Sequence, residues 1–474
     1  MIEVGRNSIV VRDVDIQSAE YKKATSRYSL YDKVQHKYTF NTYTLIDNDM
    51  YFPASIGIAA IQSCFPKKVT TINYKTTSSA DSIKLTMKNQ PKNELQQQAV
   101  DFLVNMQHDN TWRERFLSLE TGAGKTYVTI NFISKIKKKA IIIVDTTSLA
   151  LQWKNEFIKH SSIKDNEIEI LSGKESIDSA IENTKNTKIY IAIHRTLDNI
   201  IDEDTNGINS LMNKLHIGIR VFDESHVEFK SICKINALSN VEYTIFLTAT
   251  PNRSNFKDNT LYAKIFKRIP YYNGEQLRQD NYHTVVLYNF NSHPNMNDML
   301  SVKTKYGFSA AKWATYLDST SYDEFLEAVE TLINNLSLID RKKKVAIMLP
   351  TINLIKRLKT DLEENHPGIV VGTFIGEIKD GEKRADELDK QFILTNDKMF
   401  DKAMDVPDLE ILINFVPFGS IVKTEQIMGR LRYGETKSSI FIDVTDIGFK
   451  ECVAQSKIRR RFYKKKAKKI IEII

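Results

Sequence analysis

From about residue 96 onward the chain alternates stretches of helical periodicity with short, continuous apolar runs. The runs in the first half are AIIIVD (140–145), KIYIAI (188–193), GIRVFD (218–223) and YTIFLT (243–248). Those in the second half are KVAIML (344–349), GIVVGTF (368–374), LEILINF (409–415) and SIFIDV (439–444). A strand that is apolar on both faces must be covered on both faces, and the helix-length segments between the runs supply that cover. The pattern predicts an α/β protein with two parallel-sheet domains in tandem. Residues 1–88 lack this rhythm and are rich in Thr, Ser and Tyr with short alternating pieces, which predicts a small, mainly β accessory domain. The expected divisions are 1–88, 89–280 and 281–474, the last ending in a basic helix. The stretch from about 290 to 335 opens on the polar NSHPNMND and runs into the helical-looking SYDEFLEAVETLINNL (321–336), and it reads as a linker feeding the first helix of the second domain.

Composition changes this picture little. With 42% hydrophobic and 27% charged residues among 474, the chain has the balance of a globular protein, not of a disordered or fibrous one. No segment approaches the roughly 18 consecutive apolar residues that span a bilayer, and MIEVGRNSIV is unlike a signal peptide, so a cytoplasmic protein with no membrane partner is expected. Cys64, Cys233 and Cys452 are odd in number and far apart, which indicates neither a disulfide framework nor a zinc site. The formal net charge of +8 is local, because KIRRRFYKKKAKK (457–469) holds nine cations and no acid. Such a block either attracts nucleic acid through counterion release or is the wetted face of a surface helix that packs Phe462 and Tyr463 inward.

Candidate chemistry sits in two places. LSLETGAGKTYVTI (117–130) contains Thr121, Gly122, Ala123, Gly124, Lys125 and Thr126 ahead of a helical pattern. Glycines let a backbone curl its N–H groups around a β-phosphate, a lysine there reaches the β- and γ-phosphates, and a Thr hydroxyl binds magnesium. The pattern G-x-x-x-x-G-K-[ST] is partial, since Leu119 stands at its first glycine. About a hundred residues later, GIRVFDESHVEF (218–229) sets Asp223 and Glu224 at the mouth of an apolar strand. Alone, such a pair is a charged strand end or a helix cap. Together with the loop, it predicts Asp223 as a magnesium ligand and Glu224 as the base that deprotonates the attacking water, with ATP and Mg2+ as cofactors.

TGAGKT, DESH, LTATPNR (247–253) and QIMGRLR (426–432) resemble motifs I, II, III and VI of the superfamily 2 helicases, in matching order. NELQQQAV (93–100) is similar to the adenine-reading Q segment, with Gln96 at the glutamine, and VDTTSLALQWKNEF (144–157) is similar to motif Ia. DESH with a Gln-Trp pair resembles the DNA-acting, XPB-like and phage UvsW-like members. The resemblance covers about 91–445 and implies two RecA-like domains closing on one ATP. It implies that Arg430 reaches the γ-phosphate and that Gln426 helps to position it. Tyr433 stands where the second arginine of motif VI is expected and Arg432 comes one residue early, leaving open which of Arg430 and Arg432 meets ATP. TNDKMFDKAMDVPDL (395–409) is loosely similar to motif V, with Ala403 in place of a glycine; an ordinary loop is the alternative.

The resemblance also implies a nucleic-acid track across both domains, with Thr146, Thr147, His194, Arg195, Thr196, Thr351 and Asn396 as contacts and Thr248 and Thr250 as the coupling to ATP. A structural role is equally compatible with His194. YKKATSRYSLYDKVQHKYTFNTY (21–43) interleaves tyrosines with cations, suited either to base stacking or to an internal core. The expected activity is that of an ATP-dependent DNA helicase or translocase, a monomer acting on branched or forked DNA with a single-stranded track, and the phage UvsW-like resemblance suggests a viral or phage source. An RNA helicase or transcript-releasing translocase is the alternative.

Overall fold

The structure is a computed structural model that describes residues 1–32, 36–74, 81–109, 113–119, 122–248, 256–274 (256–258 by backbone alone), 283–305, 307–339, 343–376, 386–397, 399–400, 406, 409–431 and 439–473. The chain divides into two compact units, Met1–Arg278 and Gln279–Ile474.

The centre of the first unit is a parallel sheet with the spatial order Ile168–Leu171, Ile189–Ile193, Ala140–Val144, Ile219–Phe222, Tyr243–Thr248, Glu114–Ser118, Tyr271–Tyr272. The four central apolar runs of the first half are all strands here. Helices Glu94–Val104, Lys125–Ile136 and Thr147–His160 lie on one face, where Val100, Val128, Phe132 and Phe157 join Ile142, Val221 and Ile245 in one core. Burial of each such side chain contributes about 1.5–3 kcal/mol.

The other face is covered by helices that include Phe229–Leu238 and Phe256–Phe266, and onto these pack the N-terminal residues. Their five strands run in the order Thr44–Ile46, Asp49–Pro53, Ser8–Val11, Ile2–Val4, Thr70–Ile72, antiparallel except for the last pair. Ile2, Ile9, Phe52 and Phe65 belong to the same core as Phe222, Phe229, Phe246 and Phe266. A polar bolt crosses this junction. Asn7 Nδ2 donates to Glu114 Oε1 at 3.0 Å and to Thr244 Oγ1 at 3.2 Å, while Asn7 Oδ1 accepts the Val241 N–H at 2.9 Å. Glu114 also accepts from Asn236 Nδ2 at 3.1 Å, and the fully buried Arg220 donates to Asn236, to Ser239 Oγ at 2.6 Å and to Thr244 Oγ1 at 3.2 Å. Deleting residues 1–88 therefore uncovers an apolar face and strands buried polar groups. Of the tyrosines between 21 and 43, Tyr28 and Tyr43 are core residues, while Tyr31 and Tyr38 form an exposed edge-to-face pair at 5.2 Å across the hairpin Ser29–Asp32 and Lys37–Asn41.

The second unit repeats the parallel architecture in the order Val371–Phe374, Phe392–Asn396, Lys344–Leu349, Leu409–Asn414, Ser439–Asp446, His283–Phe290, Lys469–Ile473. Two expectations are corrected here. The stretch 290–335 is not a linker throughout: besides the expected helix, observed as Tyr322–Asn335, a helix Ala310–Thr320 precedes it, Trp313, Leu317, Phe325 and Val329 of the two join the core of the sheet, and Trp313 Nε1 donates to Asp446 Oδ2 at 3.0 Å. The basic tail is not helix throughout, because Lys469–Ile473 pairs with Thr284–Tyr288 as an edge strand.

Candidate nucleotide site

The phosphate loop leaves the strand Glu114–Ser118 and enters the helix Lys125–Ile136. Gly122 and Gly124 have φ of 84° and 94°, a region that L side chains rarely adopt. A Cβ on Gly124 would lie 2.3 Å from Gln96 Nε2, so only glycine admits both the turn and the glutamine. Gln96 sits in the first turn of Glu94–Val104, capped by Asn93. Its Nε2 donates to the Ala123 carbonyl at 3.1 Å and its Oε1 accepts the Lys92 N–H at 2.9 Å. In this state Gln96 braces the loop with both ends of its amide. Lys125 Nζ donates to the Leu119 carbonyl at 3.0 Å, and Thr126 lies half-buried in the first helical turn. Thr121 lies outside the described residues.

Asp223 and Glu224 follow the strand Ile219–Phe222, two strands from the loop's own. Asp223 is anchored from both sides. Its N–H donates to the Ile143 carbonyl at 3.0 Å, its Oδ1 accepts the Glu224 N–H at 2.9 Å, and its Oδ2 accepts the Trp153 indole N–H at 2.8 Å. Burial, and then the adjacent Glu224 charge, push the Asp223 carboxyl up to about 6, against the pull of Trp153 and Lys125. Glu224 has φ of 42°, a left-handed conformation costing about 1–3 kcal/mol outside glycine. The Ser225 N–H to Leu247 carbonyl bond, 2.8 Å, and the Val227 N–H to Glu224 carbonyl bond, 2.8 Å, hold the turn. Glu224 Oε2 is shielded from solvent and accepts no hydrogen bond among the described residues, His226 Nδ1 being its nearest cation site at 3.4 Å.

The same His226 Nδ1 lies 2.8 Å from Thr248 Oγ1, so a ring in the DESH turn bridges the carboxylate and the end of the neighbouring strand. Sequence reasoning missed His226 and Trp153. The signal available for Trp153 was its helical position: an indole six residues into the helix after the Ala140–Val144 strand faces the tip of the adjacent strand. Thr250 lies outside the described residues.

Of the expected nucleic-acid contacts, Thr147 and Arg195 are exposed, Thr146 and Thr351 are half-buried, and all four stand at or near helix N-termini that follow strands. Thr146 caps its helix by accepting the Leu149 N–H at 3.3 Å, whereas Thr351 makes no side-chain cap. Asn396 Oδ1 accepts the Met399 N–H at 2.9 Å. His194 and Thr196 are buried, and a contact through their side chains does not fit. The His194 ring stacks on Phe222 and bonds Ser231 Oγ at 2.9 Å, and burial lowers its pKa to about 4. The unfolded chain thus binds the His194 proton from about pH 6.5 downward while the folded chain does so only near 4. Stability consequently rises with pH across that window and is lost as pH falls through it, by on the order of 3 kcal/mol in full. Urea unfolding at pH 4.5 and 7 should show a smaller loss in His194→Gln than in the parent; equal losses would place the effect elsewhere.

In the second unit Gln426 lies half-buried near the end of helix Ile421–Met428, and Arg430 follows two residues past its end. Arg432 and Tyr433, and Ala403 of the motif V stretch, lie outside the described residues.

Residues 90–253 match the family described as "Type III restriction enzyme, res subunit". The chain is 25% identical over 360 residues to "Transcript termination protein A18" of Yaba monkey tumor virus, covering 71% of this chain and 68% of that protein. It is 27% identical over 165 residues to "Putative DNA 3'-5' helicase Rad25" of Haloarcula marismortui, covering 33% of this chain and 24% of that protein. Among solved structures, S. cerevisiae Dbp5 bound to RNA and ADP BeF3 has the same fold, with a TM-score of 0.53 at 13% identity over 80% of this chain and 89% of that one. With a glycine loop entering a helix, a carboxylate pair at a strand tip two strands away, two parallel sheets and these relatives, the chain is similar to the superfamily 2 helicases, and the likeness supports a helicase-type ATPase.

Proposed function

We propose that the chain is an ATP-dependent translocase that remodels branched DNA in replication, recombination or repair. The observation that carries the chemistry is the Glu224 turn, a strained residue whose buried Oε2 accepts no hydrogen bond among the described residues and so is free to take a proton from water. Thr126 and Asp223 are hard oxygen donors of the type that hold magnesium, which when bound neutralises phosphate charge. Lys125 would leave the Leu119 carbonyl for the β- and γ-phosphates, and Arg430 and Gln426 would meet the γ-phosphate. Branch migration suits such a motor, since each base-pair step lost, about 1.4 kcal/mol, is replaced by a similar one formed.

The DNA assignment is supported by the DESH and Gln-Trp residues and by the relative named a DNA helicase. A second reading, transcript release, is favoured by the relative named for transcript termination, which spans more of this chain. That relative is viral, which also supports a viral source. ATP turnover with single-stranded DNA, duplex DNA, a four-way junction and single-stranded RNA at one salt concentration separates the readings. Strongest stimulation by the junction supports the first, and stimulation by RNA alone rejects it.

Trp153 gives a further expected result. Trp153→Phe keeps the ring in its packing and removes one hydrogen bond to a charged acceptor, worth about 1.5–3 kcal/mol. The Mg2+ concentration for half-maximal binding of a fluorescent ATP analogue should rise about tenfold or more. An unchanged Mg2+ dependence would show that the indole does not orient Asp223.

A further inference from the structure

The cations of the helix Lys450–Lys466, which carries most of the cationic block at the end of the chain, include two populations. Arg459 is buried: it pairs with Asp443 at 2.9 Å and donates to the Phe418 carbonyl, while the Tyr463 hydroxyl donates to the same Asp443 at 2.9 Å. Arg460 pairs with Glu472 of the edge strand at 2.9 Å. These cations hold the helix Lys450–Lys466 to the sheet.

The second population faces outward. At about 100° per residue, Lys450, Lys457, Arg461 and Lys464 fall within an arc of roughly 60°, opposite the buried Cys452, Arg459 and Phe462. All four are exposed, and they extend over about 21 Å of helix. The one acid in the helix, Glu451, is turned aside to Lys303 at 3.5 Å. A helix face that merely needs wetting mixes both signs. This one holds like charges at i,i+4 (Lys457 and Arg461) and i,i+3 (Arg461 and Lys464), each pair costing a few tenths of a kcal/mol. Lys450 opposes the helix dipole in the first turn, so helix stability does not explain it.

We propose that this face binds the phosphate backbone of a nucleic-acid strand, outside the helicase motifs. The inference rests on the proposed nucleic-acid motor and assigns it a further contact surface. Four cations along one line, with no acid between them, match the single-sign charge of a phosphodiester chain. They contain no aromatic or amide group to read a base, so the contact is independent of sequence.

The test is a protein carrying Lys450→Gln, Lys457→Gln, Arg461→Gln and Lys464→Gln, compared with a control carrying Lys174→Gln, Lys185→Gln, Lys214→Gln and Lys267→Gln, which removes equal charge from exposed positions of the other unit. Binding of a thirty-nucleotide oligo-dT and of a thirty-base-pair duplex is measured across a salt series. Neutralising four phosphate contacts should flatten the slope of log affinity against log salt by about 3 for the single strand. Turnover without nucleic acid should stay unchanged, and the control should keep the parent slope. A parent slope in the helix variant, or an equal flattening in the control, overturns the proposal. Failure of the motor reading is separately visible: the parent protein would then bind neither probe and show no stimulation.

Discussion

Glu224→Gln should lower ATP turnover by about 10²- to 10⁴-fold, the usual contribution of a positioned general base, while leaving Mg-ATP binding near the parent level. The substitution keeps the size of the side chain and its left-handed backbone, and removes the acceptor charge. Asp223 retains both of its hydrogen bonds, since the Glu224 group that it accepts from is a backbone N–H. Loss of turnover without loss of binding is thus specific to the proton acceptor. Stopped-flow phosphate release and equilibrium binding of an ATP analogue read the two separately. Parent-level turnover would place the base elsewhere, whereas loss of both would mean that the turn had collapsed.

Arg220→Met should destabilise the first unit by about 3–5 kcal/mol, because it removes the buried donor to Asn236, Ser239 and Thr244 together with a positive charge that interacts with Glu114. For a unit of this size that corresponds to a fall in Tm on the order of 10 °C. Glu114→Gln in the same protein should recover part of the loss, since a neutral amide still accepts from Asn7 and Asn236. Thermal unfolding of the two single variants and the double variant measures the coupling. Additive losses would show that the two charges do not feel each other.

The parts of the fold legible in the sequence were those whose strands are apolar on both faces, such as AIIIV at 140–144 and YTIFLT at 243–248. The strand Glu114–Ser118 escaped notice because ERFLS begins with a buried Glu and a buried Arg, and polar letters in a strand read as surface when the partners that satisfy them are over a hundred residues away. His283–Phe290 was hidden by its place at an expected boundary, and Lys469–Ile473 by the lysines before it. The helix Tyr322–Asn335 was legible in SYDEFLEAVETLINNL, whereas Ala310–Thr320 was not, because polar residues on its outer face dominate the composition while Trp313 and Leu317 keep the inner face apolar. In the site, the loop and the carboxylates were legible because their chemistry requires fixed residue types at fixed spacing. The Trp153 indole and the His226 bridge were not, since each acts through a partner 70 or 22 residues distant.

The polar bolt at Asn7 also sets an order of events during synthesis. Asn7 donates to Thr244, separated from it by 237 residues, and its strand closes a core that includes Phe246 and Phe266. At ribosomal rates of about 5–20 residues per second, the first strands of the chain wait roughly 12–47 s before their partners exist. During that interval Ile2, Ile9 and Phe52 lack the part of their cover that Phe246 and Phe266 supply, so this segment offers a chaperone an apolar face, and a slower ribosome would lengthen that exposure in proportion.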